Sequence, residues 1–416
     1  MFDNKKVFDF IEKCEAEMVE LYAKRDEIAL YNQNKVLTAM QYHRLAERHF
    51  SGSTGYGYND DGRDTAEKIF ADVFGSESAL VRPQIVAGTH AVSLCLYGVL
   101  RPGDSFISLT GQPYDTIYSN IGVTDTCLGM GTLKEYGIGY KQLELKENNV
   151  IDIEGFKESI DENTRMAYLQ RATGYSSRNA LSISEIRSAV KAVKKIRPDI
   201  IVMVDNCYGE FLEKEEPCDA GADLAAGSLI KNPGGGIALS GGYVVGRSDL
   251  VSLIASRLTV PSIAFEVGAI PAGTTRSYMQ GMFMAPSVVS GAVKGAMLTA
   301  KVFSKLGFKV FPSYDDNRGD IIQAVVLGDR QKVIDYCKAV QFSSPVDSYV
   351  SPEPWDMPGY EDQIIMAAGN FIQGSSIELS ADSPMKEPYI VYQQGGLTYE
   401  HTKIALYNAV CAMELL

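Results

Sequence analysis

Four short segments carry side chains whose types and order suit one chemistry. Ala87-Gly88-Thr89-His90 opens a helical pattern with Val92, Cys95, Leu96 and Val99 on one face. Unpaired N–H groups at such a helix start attract an anion, although the same residues also suit an ordinary turn with Thr89 as N-cap. Thr110-Gly111-Gln112-Pro113-Tyr114-Asp115 follows the next apolar run and places an aromatic ring where it can stack on a planar ligand. The run 200–204 ends in Asp205-Asn206-Cys207-Tyr208, and a carboxylate at the end of a buried strand is costly unless it has a partner. Finally, Gly227-Ser228-Leu229-Ile230-Lys231-Asn232-Pro233-Gly234 sets one lysine between an apolar strand and a glycine-rich turn. Singly, each segment reads as packing or solvated surface.

Together they are an anion cup, a stacking ring, a strand-end carboxylate and a constrained amine, the parts that a pyridoxal phosphate enzyme needs. The amine attaches the cofactor and moves protons, the carboxylate keeps the pyridine nitrogen protonated, and the helix start takes the phosphate. The glycine-rich stretches GSTGYGY and NPGGG lack the spacing of a dinucleotide or nucleotide loop.

These residues need a scaffold that gathers strand ends. Short apolar runs at 84–87, 105–109, 166–170, 200–204, 225–230 and 243–245 alternate with helical patterns such as 89–100 and 182–196. That alternation predicts an α/β fold with a large, mainly parallel sheet covered by helices on both faces, and ligands bind beyond the carboxyl ends of such strands. The expected division is an N-terminal helix and extended arm over 1–60, a large domain over 61–285, a connecting helix over 286–306, and a smaller C-terminal α/β domain over 307–416. Val7, Phe10, Ile11, Cys14, Met18 and Leu21 recur at helical spacing, and a helix of this kind ahead of the fold is expected to pack on a partner subunit.

Composition narrows the function classes. The chain has 416 residues with 39 basic against 52 acidic, a net charge of -13 that opposes nucleic-acid binding. No apolar run approaches the roughly 20 residues of a bilayer span, and charges interrupt every turn of the N-terminal segment, so a cytoplasmic protein without membrane attachment is expected. Seven scattered cysteines without a CxxC pair fit reduced thiols, and four histidines without HExxH argue against a metal site.

The order and context of GTH, GQPYDT, VDNCYGEF and GSLIKNPGGG resemble the fold type I pyridoxal phosphate enzymes of cysteine and methionine metabolism. Within them, STGYGYNDDGRD, LVRPQIVAGTH, LRPGD and QGGLTYEH resemble the aluminium-resistance or methionine gamma-lyase-like branch, so the resemblance covers nearly the whole chain. It implies that Lys231 is the Schiff-base lysine, Asp205 the partner of the pyridine nitrogen and Tyr114 the stacking ring. Gly88 and Thr89, with His90 beside them, supply the phosphate site, and Ser228 adds its hydroxyl. Tyr56 or Tyr58 and Arg63 complete that site in a neighbouring subunit, which implies a homo-oligomer, a dimer of dimers with shared sites.

Two departures stand out. Ile230 occupies the position before the lysine, where related lyases carry a hydroxyl residue, and the substrate carboxylate clamp has three candidates, Arg178, Arg276 and Lys386. Lys386 stands where the branch carries an arginine. The activity implied is carbon–sulfur elimination from a sulfur amino acid, of the methionine gamma-lyase or cystathionine beta-lyase kind. Gamma replacement, racemisation, or cofactor binding with little catalysis are the alternatives.

Overall fold

The computed structural model describes residues 3–124, 127–175, 178–356 and 362–416. Two helices lead the chain, α1 (Lys5–Ala16) and α2 (Val19–Tyr42), followed by α3 (Asp61–Val73). The large sheet then forms from β1 (Ser78–Arg82), β2 (Ser105–Ser108), β3 (Gly139–Gln142), β4 (Thr164–Gln170), β5 (Ile201–Asp205), β6 (Leu224–Ser228) and β7 (Gly242–Gly246). Between and after these strands lie α4 (Gly88–Val99), α5 (Asp115–Ile121), α6 (Ile153–Ser159), α7 (Ile183–Ile196) and α8 (Ser248–Leu258). A long helix, α9 (Thr274–Lys305), leads to a second sheet of β8 (Lys309–Phe311), β9 (Ile322–Val326), β10 (Ile364–Ala367), β11 (Ser380–Pro384) and β12 (Ile390–Gln394). Helix α10 (Arg330–Phe342) packs on it together with α9, and α11 (Tyr399–Ala412) packs on both helices.

The large sheet has the order β1-β7-β6-β5-β4-β2-β3. It is parallel except at β7, which runs against both β6 and β1. Its central strands read as continuous apolar runs because both faces are buried, one under a core that includes Phe70, Val204 and Met282, the other under one that includes Leu96, Met203 and Ile254. The second sheet, β10-β11-β12-β9-β8, is antiparallel throughout. The α/β class with a larger and a smaller sheet is therefore as expected.

Three local expectations need correction. The strand expected at 84–87 lies earlier, at β1, and 83–87 forms the turn that delivers α4, since Pro83 directly follows Arg82 and has no N–H for a ladder. The expected connecting helix begins at Thr274 and carries Pro286 inside it. Its length and apolar composition would suit a bilayer span, contrary to the reading of the sequence, but 72% of that apolar window is buried inside the protein. Helix α1 does not wait for a partner subunit: Val7, Ile11 and Cys14 pack with Leu298, Val302 and Leu406 of the same chain.

Helix α9 braces the turn that carries Lys231. The short helical turn Asn232–Gly234 lies so close to α9 that a Cβ at Gly281 would fall 2.2 Å from the Gly234 carbonyl oxygen. Only a hydrogen fits there. Gly281→Ala should therefore lower stability by about 1–3 kcal/mol. Urea unfolding checks this as a lower midpoint at unchanged m-value, and an unshifted midpoint would show that the contact is slack.

Candidate active site

The carboxyl ends of β4, β5 and β6 open into a cavity of about 240 Å³ roofed by the second sheet. Strand register aligns its floor: Gln170 pairs with Asp205, and Asp205 with Ala226, two residues before Ser228. The cavity is lined from the large-sheet side by Ala87, Gly88, Thr89, Asp205, Ser228 and Lys231. Ile322, Asp382, Tyr392 and Gln394 line it from the second sheet.

Asp205 is buried. Its Oδ1 accepts the Cys207 N–H at 3.1 Å and its Oδ2 the Tyr168 hydroxyl at 3.3 Å. Burial nevertheless holds its pKa above the usual carboxylate range, the state of a carboxylate short of a positive partner. The Lys231 ammonium lies 3.5 Å from the centroid of the Tyr208 ring and donates to the Ser375 carbonyl at 3.2 Å. Burial lowers its pKa, with Cys207, Glu210, Asp205 and Asp382 opposing the shift, so the neutral amine is more accessible than in an ordinary lysine. The loop is fixed from below, where the Asn232 side-chain amide donates to the carbonyls of Tyr208 and Glu210 at 3.0 and 2.9 Å.

The start of α4 is built for an anion. Its N-cap is Ala87, which offers no side-chain cap, and a Cβ at Gly88 would sit 2.9 Å from Cys207 Sγ and 3.2 Å from Ser228 Cβ. Glycine thus keeps the approach to the helix amides open.

Of the residues expected from sequence, Gly88, Thr89, Tyr114, Asp205, Ser228 and Lys231 meet in this cavity. Tyr114 is fixed by its N–H, which donates to Gln170 Oε1 at 2.7 Å, and Thr89 Oγ1 shares a hydrogen bond of 2.8 Å with Thr116. His90 turns away, its Nδ1 accepting the Val86 N–H at 3.2 Å. Tyr56 and Tyr58 lie outside, 69% and 61% exposed and stacked at 5.4 Å. Arg63 points into its own loop, donating to the Gly57 carbonyl at 2.8 Å and to Asp64 at 2.9 Å.

None of the three expected carboxylate clamps lines the cavity. The Arg178 guanidinium is spent on backbone carbonyls, those of Gln170 at 2.8 Å, Asn179 at 3.0 Å and Ala172. Arg276 is exposed on the first turn of α9. Lys386 is 62% exposed and pairs with Asp362 at 2.9 Å. Conversely, the sequence reading assigned no role to Tyr208, Tyr175, Ser375, Asp382, Tyr392 or Gln394, all of which line the cavity. Tyr208 stood within the segment already singled out, at a positive φ of 69° that fixes its ring under the lysine.

Strand order and the position of the site at the carboxyl ends of the parallel strands are those of the fold type I class of pyridoxal phosphate enzymes. A pyridoxal-5'-phosphate dependent protein of Escherichia coli, YhfS, shares this fold with a TM-score of 0.62 at 16% identity, over 92% of this chain and 96% of that one. The chain belongs to the methionine gamma-lyase family, whose profile matches residues 7–414. It is 48% identical over 414 residues to the Bacillus subtilis protein YnbB, covering 99% of this chain and 98% of that one. The structure of a Clostridium novyi protein described as a carbon-sulfur lyase involved in aluminum resistance superposes with a TM-score of 0.95 at 49% identity, over 99% of this chain and 96% of that one.

Beneath the site, burial pushes the Glu210 carboxyl up to about 8, against a hydrogen bond of 2.7 Å from the Tyr243 hydroxyl. The folded value lies above the ordinary 4.5, so stability is full below 4.5 and declines as pH rises towards about 8. Glu210→Gln removes that titration. The fall in Tm across the window should be shallower in the variant, by at most about 1.4 kcal/mol per pH unit for one proton. Calorimetry on the cofactor-free protein measures both slopes, and equal slopes would refute the assignment.

Proposed function

We propose that this protein is a pyridoxal phosphate-dependent carbon–sulfur lyase that acts on a sulfur amino acid. The observation that carries this reading is the convergence of a half-buried lysine with a lowered pKa, a buried carboxylate and an uncapped helix start in one cavity. The residues fit the cofactor, because the glycine cradle at Gly88 leaves space for an anion and Asp205 lacks a cation that a protonated ring nitrogen would supply.

In this reading the N–H groups of Gly88 and Thr89 and the Ser228 hydroxyl hold the phosphate, Asp205 the ring nitrogen, and Tyr114 the ring face. The cofactor supplies an electron sink for negative charge at the substrate α-carbon. Lys231 anchors the cofactor and then, as a free amine with lowered pKa, takes the proton from that carbon. In the same reading Tyr114, which lines the cavity, passes a proton to the departing sulfur. In β elimination the Cβ–S bond breaks and one water is consumed, giving a thiol, pyruvate and ammonium. Elimination at Cγ requires a second proton removal and gives 2-oxobutanoate.

A second reading, cofactor binding with little turnover, is favoured by one observation: Arg178, Arg276 and Lys386 all lie outside the cavity. Keto-acid release from a panel of sulfur amino acids separates the two. Under the lyase reading Lys231→Ala lowers release by about 10²-fold or more, and the visible absorbance of the cofactor-loaded protein, which shifts on adding substrate, reverts to that of free cofactor. Bound cofactor without turnover of any panel member would leave the second reading.

The reading extends to an assembly in which Tyr56 or Tyr58 and Arg63 complete the phosphate site of a neighbouring copy, since the two rings are exposed and stand outside the cavity of their own chain described above. Sedimentation of the cofactor-loaded protein should give a dimer or larger. A monomer at full cofactor occupancy would contradict the shared site.

A further inference from the structure

Under the reading above, Asp205 and Lys231 are engaged by the cofactor. The described lining of the cavity then contains one further carboxylate, Asp382, and no arginine. Asp382 lies in the middle of β11 on the second-sheet side of the cavity, 5% exposed, and pairs in register with Tyr392 of β12. It accepts a hydrogen bond from the Tyr175 hydroxyl. The Tyr392 hydroxyl in turn donates to the Tyr175 carbonyl at 2.9 Å, and the two rings lie 5.1 Å apart at 60°. The side chain is thus held by two tyrosines, both of which also line the cavity.

A buried carboxylate beside two tyrosines, hydrogen-bonded to one and in register with the other, attracts a cation by ion pairing, and the aromatic neighbours favour the same guest. It repels a guest carboxylate. The substrate α-amino group is used in joining the cofactor, so the cation received here must be a second one, on the portion of the substrate beyond sulfur. We infer that Asp382 determines specificity by receiving an ammonium group on the leaving thiol, and that the preferred substrates are thioethers whose leaving group is cationic. Burial holds Asp382 up to about 7, with the Tyr175 hydrogen bond and Lys231 opposing, and a guest ammonium opposes it further. The inference names the substrate class of the proposed lyase and rests on that reading for its catalytic arm only.

The test uses pairs of ligands that differ at one terminal group. S-(2-aminoethyl)-L-cysteine and S-propyl-L-cysteine are isosteric, as are L-lysine and L-2-aminoheptanoate, which contain no sulfur. The cofactor-loaded enzyme should show a kcat/KM ratio of about tenfold or more in favour of the aminoethyl thioether, and calorimetric titration should give a similar preference for lysine over aminoheptanoate. In Asp382→Asn both ratios should collapse towards one. Each ratio is measured within one protein sample, so a reduced folded fraction cancels, and Asp382→Ser serves as the second variant should the first fail to fold.

A wild-type enzyme that treats each pair alike, or prefers the neutral member, would overturn the inference, as would a cation preference that survives both substitutions. If neither thioether is cleaved but lysine binding still depends on Asp382, the cation receptor stands and the lyase reading falls. If the thioethers are cleaved without discrimination, the lyase reading stands and the receptor falls.

Discussion

Holding an amine out of water at the end of β6 is the constraint around which the rest of the structure is arranged. Lys231 can be kept there only if polar and aromatic groups stand in for solvent, and the Tyr208 ring and the Ser375 carbonyl do so from two different sheets. Each of these supports has its own requirement. Tyr208 adopts a left-handed backbone, Asn232 uses its side chain to tie the lysine loop to the loop after β5, and Gly281 lets α9 press against the turn. The lysine is thereby fixed in space while its amine is destabilised as a cation, which is the combination that nucleophilic and proton-transfer chemistry requires.

The same logic explains why the floor of the site is acidic. Asp205 and Glu210 act on the lysine and Glu216 lies behind them against Asn206; all three are buried, and burial raises the pKa of each. Such groups weaken a fold unless something positive enters, so the cofactor-free protein holds unfavourable desolvation that a bound cation relieves. Glu216 receives an internal answer in the Arg171 guanidinium, which also binds Asn206 and the Gly209 carbonyl at 2.9 and 2.7 Å. Among the described residues, the groups in direct contact with Asp205 are neutral, the Cys207 N–H and thiol and the Tyr168 hydroxyl, with the Lys231 charge acting from further off. The contrast separates a carboxylate used for structure from one placed for a ligand.

How much of this could be read in the sequence follows from where each interaction lies along the chain. The large-sheet half of the site was legible because every contributor directly follows a strand: Gly88 after β1 and its turn, Asp205 at the end of β5, Lys231 just beyond β6. Strand–loop–helix order is a local pattern, and local patterns survive in one dimension. The second-sheet half was not legible, because Asp382, Tyr392 and Gln394 lie within ordinary strands and acquire meaning only when β11 and β12 fold over the large sheet. The clamp candidates failed for a related reason. An arginine's type declares what it can bind, but the four carbonyls around Arg178 depend on how the loop after β4 closes on itself, which no spacing rule records.

A site divided between two sheets has a consequence for selectivity. Under the proposed reading the large sheet addresses the cofactor, so variation there alters whether any chemistry occurs, and the second sheet faces the substrate, so variation there alters which bond is presented to an unchanged electron sink. The Ser375 carbonyl joins the two halves: it lies in the second-sheet region yet accepts from both Lys231 Nζ and the Tyr208 hydroxyl, each at 3.2 Å. Any displacement of the second sheet is therefore felt at the lysine. The position of the second-sheet wall and the surroundings of the lysine amine are set by the same contact.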